Sequence, residues 1–148
     1  MADSPLVDKT AEVDPPMPAT WSDAPLLDPV AWRDFVDLWR HDAPSAACDL
    51  VREYLQDARH HLQTIHQALE QSDPRTLEFS AHTLGSSSGN LGACRMQELC
   101  RLLQDLGRRQ ALQAAADYVR RLDPALEQTR QAFQAELPGL DADSAQTG

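Results

Sequence analysis

Residues 44–69 read PSAACDLVREYLQDARHHLQTIHQAL, and this stretch decides the fold class. Its apolar residues recur at alternating steps of four and three, which places them on one face of a helix. A proline at the start is typical of a helix N-terminus. Because so narrow an apolar stripe must be covered by other helices, the pattern favours a helical bundle. The stripe consists of Val51, Leu55, Ala58, Leu62, Ile65 and Leu69.

Three Asp-Pro pairs mark further helix boundaries, because aspartate caps a helix N-terminus and proline fits its first position. The first two pairs predict helices over about 29–41 and 73–89. The third lies inside a continuing apolar pattern over 112–137, where proline predicts a kink or a break with a second short helix behind it. The pairs are Asp28-Pro29, Asp73-Pro74 and Asp123-Pro124.

A fourth helix is predicted between these segments. Its apolar stripe is Met96, Leu99, Leu103 and Leu106, and Gly107 is expected to close it. The connections between the later helices are short, which makes consecutive helices antiparallel. The sequence therefore predicts an all-α fold, an up-down antiparallel four-helix bundle with an additional N-terminal helix.

The charge is concentrated near the ends of the 148-residue chain. The formal net charge is −10, and residues 1–28 alone contain six acidic residues against one lysine. Such an acidic balance argues against nucleic acid as a partner. Residues 1–27 also contain five prolines, so we expect a disordered N-terminal segment. Pro138-Gly139 predicts a second disordered tail over 138–148, which leaves 28–137 for the bundle.

The sequence contains neither a signal peptide nor an apolar run of the roughly 20 residues that a membrane span requires. Its three cysteines form no CxxC pair, which indicates a reducing compartment. The preference for Arg, Ala and Leu suggests a bacterial genome. We therefore expect a cytoplasmic bacterial protein that has no contact with a membrane.

The stretch that points to a function is residues 80–93, SAHTLGSSSGNLGA. Its helix has a core stripe of Leu77, Ala81, Leu84 and Ser88, and His82 lies about 100° away from that stripe. The imidazole is therefore expected to reach solvent.

This stretch resembles the signature of histidine-containing phosphotransfer (HPt) domains, which is close to AHxLKGSSxxLGA. The resemblance implies a four-helix bundle with an extra N-terminal helix and a phosphoacceptor role for His82. It also implies partners, namely the receiver domains of response regulators or hybrid sensor kinases, which supply an aspartate and Mg²⁺. No cofactor of the chain's own is implied. The matching residues are Ala81, His82, Thr83, Leu84, Ser87, Leu91, Gly92 and Ala93.

The residues around His82 suit that role. A neutral imidazole near pH 7 is a competent nucleophile for a phosphoryl group. Phe79, Gly85, Ser86 and Gly89 share its outward face, and three of these four are very small. Mid-helix glycine costs about 1 kcal/mol relative to alanine, a cost that is understandable where a partner must approach closely. These four residues are the predicted docking surface, although Phe79 fits the core equally well.

The sequence departs from the family pattern at two positions. The usual lysine three residues after the histidine is Gly85, and the glycine that follows it is Ser86. The resemblance implies that this lysine stabilises the phosphoryl charge in the family. Arg75, Arg95 or Ser86 could support the phosphoryl group instead. The alternative is a phosphotransfer-deficient binding module that docks a receiver domain or other regulatory partner through the His82 face.

Two other classes of function fit poorly. Ferritin-like metal sites need Glu-x-x-His pairs on two helices, whereas Glu78 and His82 are four residues apart and no second set exists, so no metal site is predicted. No Gly-rich phosphate loop is present, which argues against a nucleotide site. The expected activity is that of a covalent carrier and not of an enzyme. A stand-alone protein and a piece of a hybrid kinase remain open.

Overall fold

The computed structural model describes residues 25–40 and 44–140. Most of the two segments predicted to be disordered, residues 1–27 and 138–148, lies outside the described residues, and their disorder stays a prediction. The helices are α1 (Pro29–Arg40), α2 (Pro44–Glu70), α3 (Pro74–Asn90), α4 (Cys94–Arg108) and α5 (Leu112–Glu136).

The predicted all-α architecture is confirmed. Helices α2 to α5 form an up-down antiparallel bundle, α1 packs against α2 and α3, and the described residues contain no strand. The core is built mainly from leucine and alanine. Its largest fully buried side chains include Ile65, Leu77, Leu84, Leu99, Leu122 and Phe133.

Two of the three Asp-Pro pairs begin helices as predicted. The Val30 N–H donates to Asp28 Oδ1 over 3.0 Å, and the Thr76 N–H donates to Asp73 Oδ1 over 3.1 Å. Each aspartate thereby satisfies a backbone N–H that has no partner within the helix.

Of the kink or break predicted at the third pair, the break does not occur, because α5 continues through Pro124. Proline removes the hydrogen bond to the carbonyl four residues earlier, that of Arg120. Both residues are exposed, so water can satisfy that carbonyl. Asp123 caps no helix there, and its Oδ2 atom lies 3.1 Å from His66 Nε2 on α2.

Gly107 does not close α4, contrary to the prediction. The helix continues to Arg108, and the left-handed residue behind it is Gln110, with φ 60°. The Ala111 N–H donates to the Leu106 carbonyl over 2.9 Å, the bond that characterises a Schellman motif. Gly107 instead allows close packing, since a Cβ atom there would lie 2.9 Å from the Glu78 backbone nitrogen on α3.

The chain before α1 is attached to the loop after α3. The Asp28 N–H donates to the Gly92 carbonyl over 2.6 Å, and the Cys94 N–H donates to the Leu26 carbonyl over 3.1 Å. Gly92 has φ +75°, and a Cβ atom there would lie 3.0 Å from the Trp32 nitrogen. Both its conformation and its close contact therefore require glycine.

An aromatic cluster joins α1 to α2 and α5. The Trp32 ring centroid lies 5.1 Å from that of Phe133, and the Trp32 Nε1–H donates to Glu136 Oε1 over 3.3 Å. The Tyr54 ring meets Phe133 edge to face at 6.1 Å.

The bundle also extends past the predicted boundary at residue 137, since Leu140 is only 1% exposed.

Candidate functional site

Helix α3 presents His82 to solvent, as the spacing predicts. The core stripe of α3 is fully buried, whereas His82 is exposed. The stripe consists of Leu77, Ala81, Leu84 and Ser88. The fully buried stripe fixes the rotation of the helix about its axis. The direction in which the imidazole points is therefore set by the core of the bundle.

The start of α3 is held by its aspartate cap. Besides accepting from the Thr76 N–H, Asp73 accepts from the Thr76 hydroxyl over 2.7 Å. These bonds favour the ionised form, so the Thr76 hydroxyl and N–H lower the pKa of Asp73. The cap lies two turns before His82 and stabilises the helix that carries it.

Hydroxyl groups along α3 are satisfied by the helix itself. Thr83 and Ser87 each donate to the carbonyl four residues earlier, over 3.1 Å. Ser88 donates in the same way to the Leu84 carbonyl over 2.7 Å, and its oxygen lies 2.6 Å from the Tyr54 hydroxyl. These bonds let a serine-rich segment remain helical up to Asn90.

His82 lines a shallow groove of about 210 Å³ between α3 and α4, here called the His82 groove. The two helices approach closely beside it, since a Cβ atom on Gly85 would lie 3.1 Å from Cys100 Cβ. Burial raises the pKa of Cys100 to about 12, which keeps this thiol uncharged beneath the groove. The residues that line the groove are His82, Gly85, Ser86, Gln97, Arg101 and Gln104.

The predicted docking residues have different positions. Phe79 is 69% exposed, so it does not belong to the core. Gly85 and Ser86 line the His82 groove. Gly89 lies beneath Gln97, whose Nε2 atom would be 2.5 Å from a Cβ atom at that glycine. The outward face of α3 therefore combines one large apolar side chain with a floor of small residues.

The two predicted arginines do not line the groove. Arg75 is exposed in the first turn of α3, and the Arg95 Nη1–H donates to Gln128 Oε1 on α5 over 3.3 Å. The arginine in the groove is Arg101, which sequence reasoning missed. A signal was available, because Gln97, Arg101 and Gln104 follow the same four-and-three spacing on α4 as its apolar stripe.

Arg101 has an acidic partner on its own helix. Its Nη2 atom lies 2.7 Å from Glu98 Oε1, one turn earlier, and the Arg101 side chain is 61% exposed. Exposed pairs of this kind contribute little to stability. The guanidinium can therefore exchange partners at small cost.

Two further searches concern the described residues alone. Within 25–40 and 44–140, no group of three His, Cys, Asp or Glu side chains is placed to hold a metal ion. No helix in that part of the chain combines the length and the hydropathy needed to span a bilayer.

The fold and the site together define a helical-bundle domain that presents an exposed histidine on α3, beside small residues and a groove. The Hpt domain family model matches residues 49–132, more than half of the chain, and the protein belongs to that family. No match was found among curated proteins.

The fold is also similar to a solved structure. That structure is the crystal structure of histidine-containing phosphotransfer protein B from Pseudomonas aeruginosa PAO1. The TM-score is 0.70 at 24% sequence identity, with 77% of this chain and 96% of the other covered. The similarity supports the helical-bundle fold.

Proposed function

We propose that the protein carries a phosphoryl group on His82 between receiver-domain aspartates in a two-component phosphorelay. The observation that carries the proposal is the exposed imidazole on a helix whose core stripe is fully buried. A nucleophile held in this way needs little reorganisation when a partner's active site approaches. A cytoplasmic bacterial location remains part of the proposal.

The transfer step needs few groups from this chain. The lone pair of a neutral ring nitrogen of His82 attacks phosphorus, and the bond between phosphorus and the aspartyl oxygen breaks. The carboxylate leaves with that electron pair, and the imidazole keeps the proton on its other nitrogen, as a cation. The reverse step passes the group to a second receiver. In this proposal the receivers supply the Mg²⁺, and the chain has no nucleotide site of its own.

The surroundings of His82 support docking. Gly85 and Ser86 leave room beside the imidazole, and Phe79 offers an exposed apolar contact one turn away. A large apolar side chain next to a flat polar surface is typical of an interface anchor. The receiver's acidic site would then approach the chain on the α3–α4 side.

The second candidate is a binding module that docks a receiver without accepting a phosphoryl group. Gly85 favours it, because the family's usual lysine is absent there. Such a module would act by occupying the receiver's surface. It would bind a receiver and remain unlabelled.

Transfer from a phosphorylated receiver separates the two candidates. The wild-type chain is incubated with a ³²P-labelled receiver and Mg²⁺, and acid-labile label on the chain is measured. We expect label on the wild type and none on His82→Gln. His60→Gln removes another exposed histidine, on α2, and should be labelled like the wild type.

Two results would count against phosphotransfer through His82. An unlabelled wild type that still binds receivers would support the binding module. Equal label on His82→Gln would place the phosphoryl group on another residue. A panel of receivers from the source organism should be used, so that a single mismatched partner does not decide the outcome.

A further inference from the structure

The chain lacks the lysine that would stand beside the phosphorylated histidine, yet a cation lines the same groove. Arg101 and His82 face it from α4 and α3 respectively. The neighbouring amides of Gln97 and Gln104 add neutral hydrogen-bond donors on the same side. The His82 groove therefore has hydrogen-bond donors on its α4 side and small residues on its α3 side.

Close helix packing explains how a residue from α4 comes to this position. Gly85 on α3 and Gly107 on α4 both lie where the facing helix leaves little room for a Cβ atom. A lysine at position 85 would require Cys100 to move by a few tenths of an ångström. The same glycine that removes the lysine thus brings α4, and Arg101 with it, towards His82.

We propose that Arg101 binds the phosphoryl group on His82 and does so in place of the missing lysine, an inference that rests on the proposed function. In the unphosphorylated chain, Arg101 pairs with Glu98. A dianionic phosphoryl group on His82 attracts the guanidinium more strongly than a single carboxylate does, and it offers oxygens with the geometry that arginine contacts bidentately. Phosphorylation therefore draws the Arg101 guanidinium away from Glu98 and towards His82 within the groove.

Chemical phosphorylation tests this without any receiver. Phosphoramidate transfers its phosphoryl group to imidazole: the ring nitrogen forms a bond to phosphorus, the bond from phosphorus to the amine nitrogen breaks, and ammonia leaves after taking a proton from the medium. The ³¹P chemical shift of phosphohistidine is then titrated against pH. A nearby cation disfavours protonation, so Arg101→Gln should raise the titration midpoint by about half a unit to one unit.

Matched variants separate this effect from a general loss of charge. Arg108 is two turns further along α4, is exposed and pairs with Asp105 as Arg101 pairs with Glu98, but it does not line the groove. Arg108→Gln should leave the midpoint within about 0.2 unit of the wild type. Arg101→Lys keeps a cation in the groove, so its midpoint should stay close to that of the wild type. Gly85→Lys combined with Arg101→Gln should bring the midpoint back towards the wild-type value.

Transfer from a phosphorylated receiver gives a second readout. Arg101→Gln should slow labelling of His82 about tenfold, while Arg108→Gln labels at the wild-type rate. Circular dichroism checks that each variant is folded.

The outcomes of the two proposals can be told apart. Equal midpoints for Arg101→Gln, Arg108→Gln and the wild type would overturn the role of Arg101, even if the wild type accepts phosphoryl groups from receivers. A wild type that takes label from phosphoramidate but from no receiver would overturn the proposed relay, while its titration would still decide the role of Arg101. A wild type that takes no label on His82 from either donor would overturn both.

Discussion

The Tyr54 hydroxyl oxygen lies 2.6 Å from the Ser88 hydroxyl oxygen, and the two side chains join α2 to the helix that carries His82. Ser88 donates its own proton to the Leu84 carbonyl, so Tyr54 is the donor of the shared bond. Burial raises the pKa of Tyr54, which keeps the phenol protonated as this role requires. Both hydroxyl protons of this buried pair therefore have an acceptor.

Substitutions in this pair should have unequal effects on stability. Tyr54→Phe removes the donor and leaves Ser88 bonded to Leu84, so a loss of about 1 kcal/mol is expected. Ser88→Ala leaves the buried Tyr54 hydroxyl without a partner and should cost about 1–3 kcal/mol. The double variant should be less destabilised than the two single losses together. Urea unfolding measures all three, and additive losses would show that the bond contributes nothing.

Gly107→Ala should destabilise the bundle, because the new Cβ atom would lie 2.9 Å from the Glu78 nitrogen on α3. Overpacking against backbone costs about 1–3 kcal/mol, which outweighs the helix propensity that alanine gains, about 1 kcal/mol. Gly89→Ala is the control, since its Cβ atom would meet only the flexible end of Gln97. Thermal unfolding should show a lower Tm for Gly107→Ala alone. Equal Tm values for the two variants would contradict the close-packing role.

The helices could be predicted from the sequence because their signals are local. The stripe in α2 and the aspartate caps at positions 28 and 73 depend on residues within a few turns of each other. The same holds for His82, whose outward direction follows from the apolar spacing on α3. Local periodicity therefore sufficed for the fold and for the position of the candidate phosphoacceptor.

Two of the errors concern contacts between helices. The role of Gly107 depends on the approach of α3, and the placement of Arg101 depends on how α4 lies against His82. Spacing along α4 places Arg101 on one stripe with Gln97 and Gln104, but it shows neither that this stripe faces His82 nor that α3 approaches Gly107. The C-terminus of α4 was also misplaced because its left-handed residue is Gln110, where glycine is usual.

That last feature gives a stabilising prediction. A left-handed conformation costs a non-glycine residue about 1–2 kcal/mol, and glycine adopts it freely but loses more entropy on folding. Gln110→Gly should therefore stabilise the protein, by up to about 1 kcal/mol. Ser72, the left-handed residue that follows α2, with φ 54°, should respond in the same way when replaced by glycine. A lower Tm for both variants would contradict the assignment of these caps.

Acid sensitivity should depend on His61. Burial and the charge of His60 lower the pKa of His61, and the carboxylate of Asp57 raises it. The net effect is a pKa below the usual value of 6.5. The folded state then binds fewer protons than the unfolded state below that pH, so stability falls as the pH drops. His61→Gln should show a smaller decrease in Tm than the wild type between about pH 7.5 and 5.5. His60→Gln removes the second of these causes, so its decrease in Tm should lie between those of the wild type and His61→Gln.

Phe79 should matter for partner binding and not for stability. Its side chain is 69% exposed one turn before His82, so truncation removes little buried area, and Phe79→Ala should change the free energy of unfolding by at most about 0.5 kcal/mol. If the receiver covers this face, the same truncation should weaken its binding about tenfold, the effect of losing one apolar anchor. Leu38 is a matched control, because it is 70% exposed on α1, outside the His82 groove. Calorimetric titration with a receiver should give wild-type affinity for Leu38→Ala. An equal effect of the two truncations would show that docking does not involve the His82 face of α3.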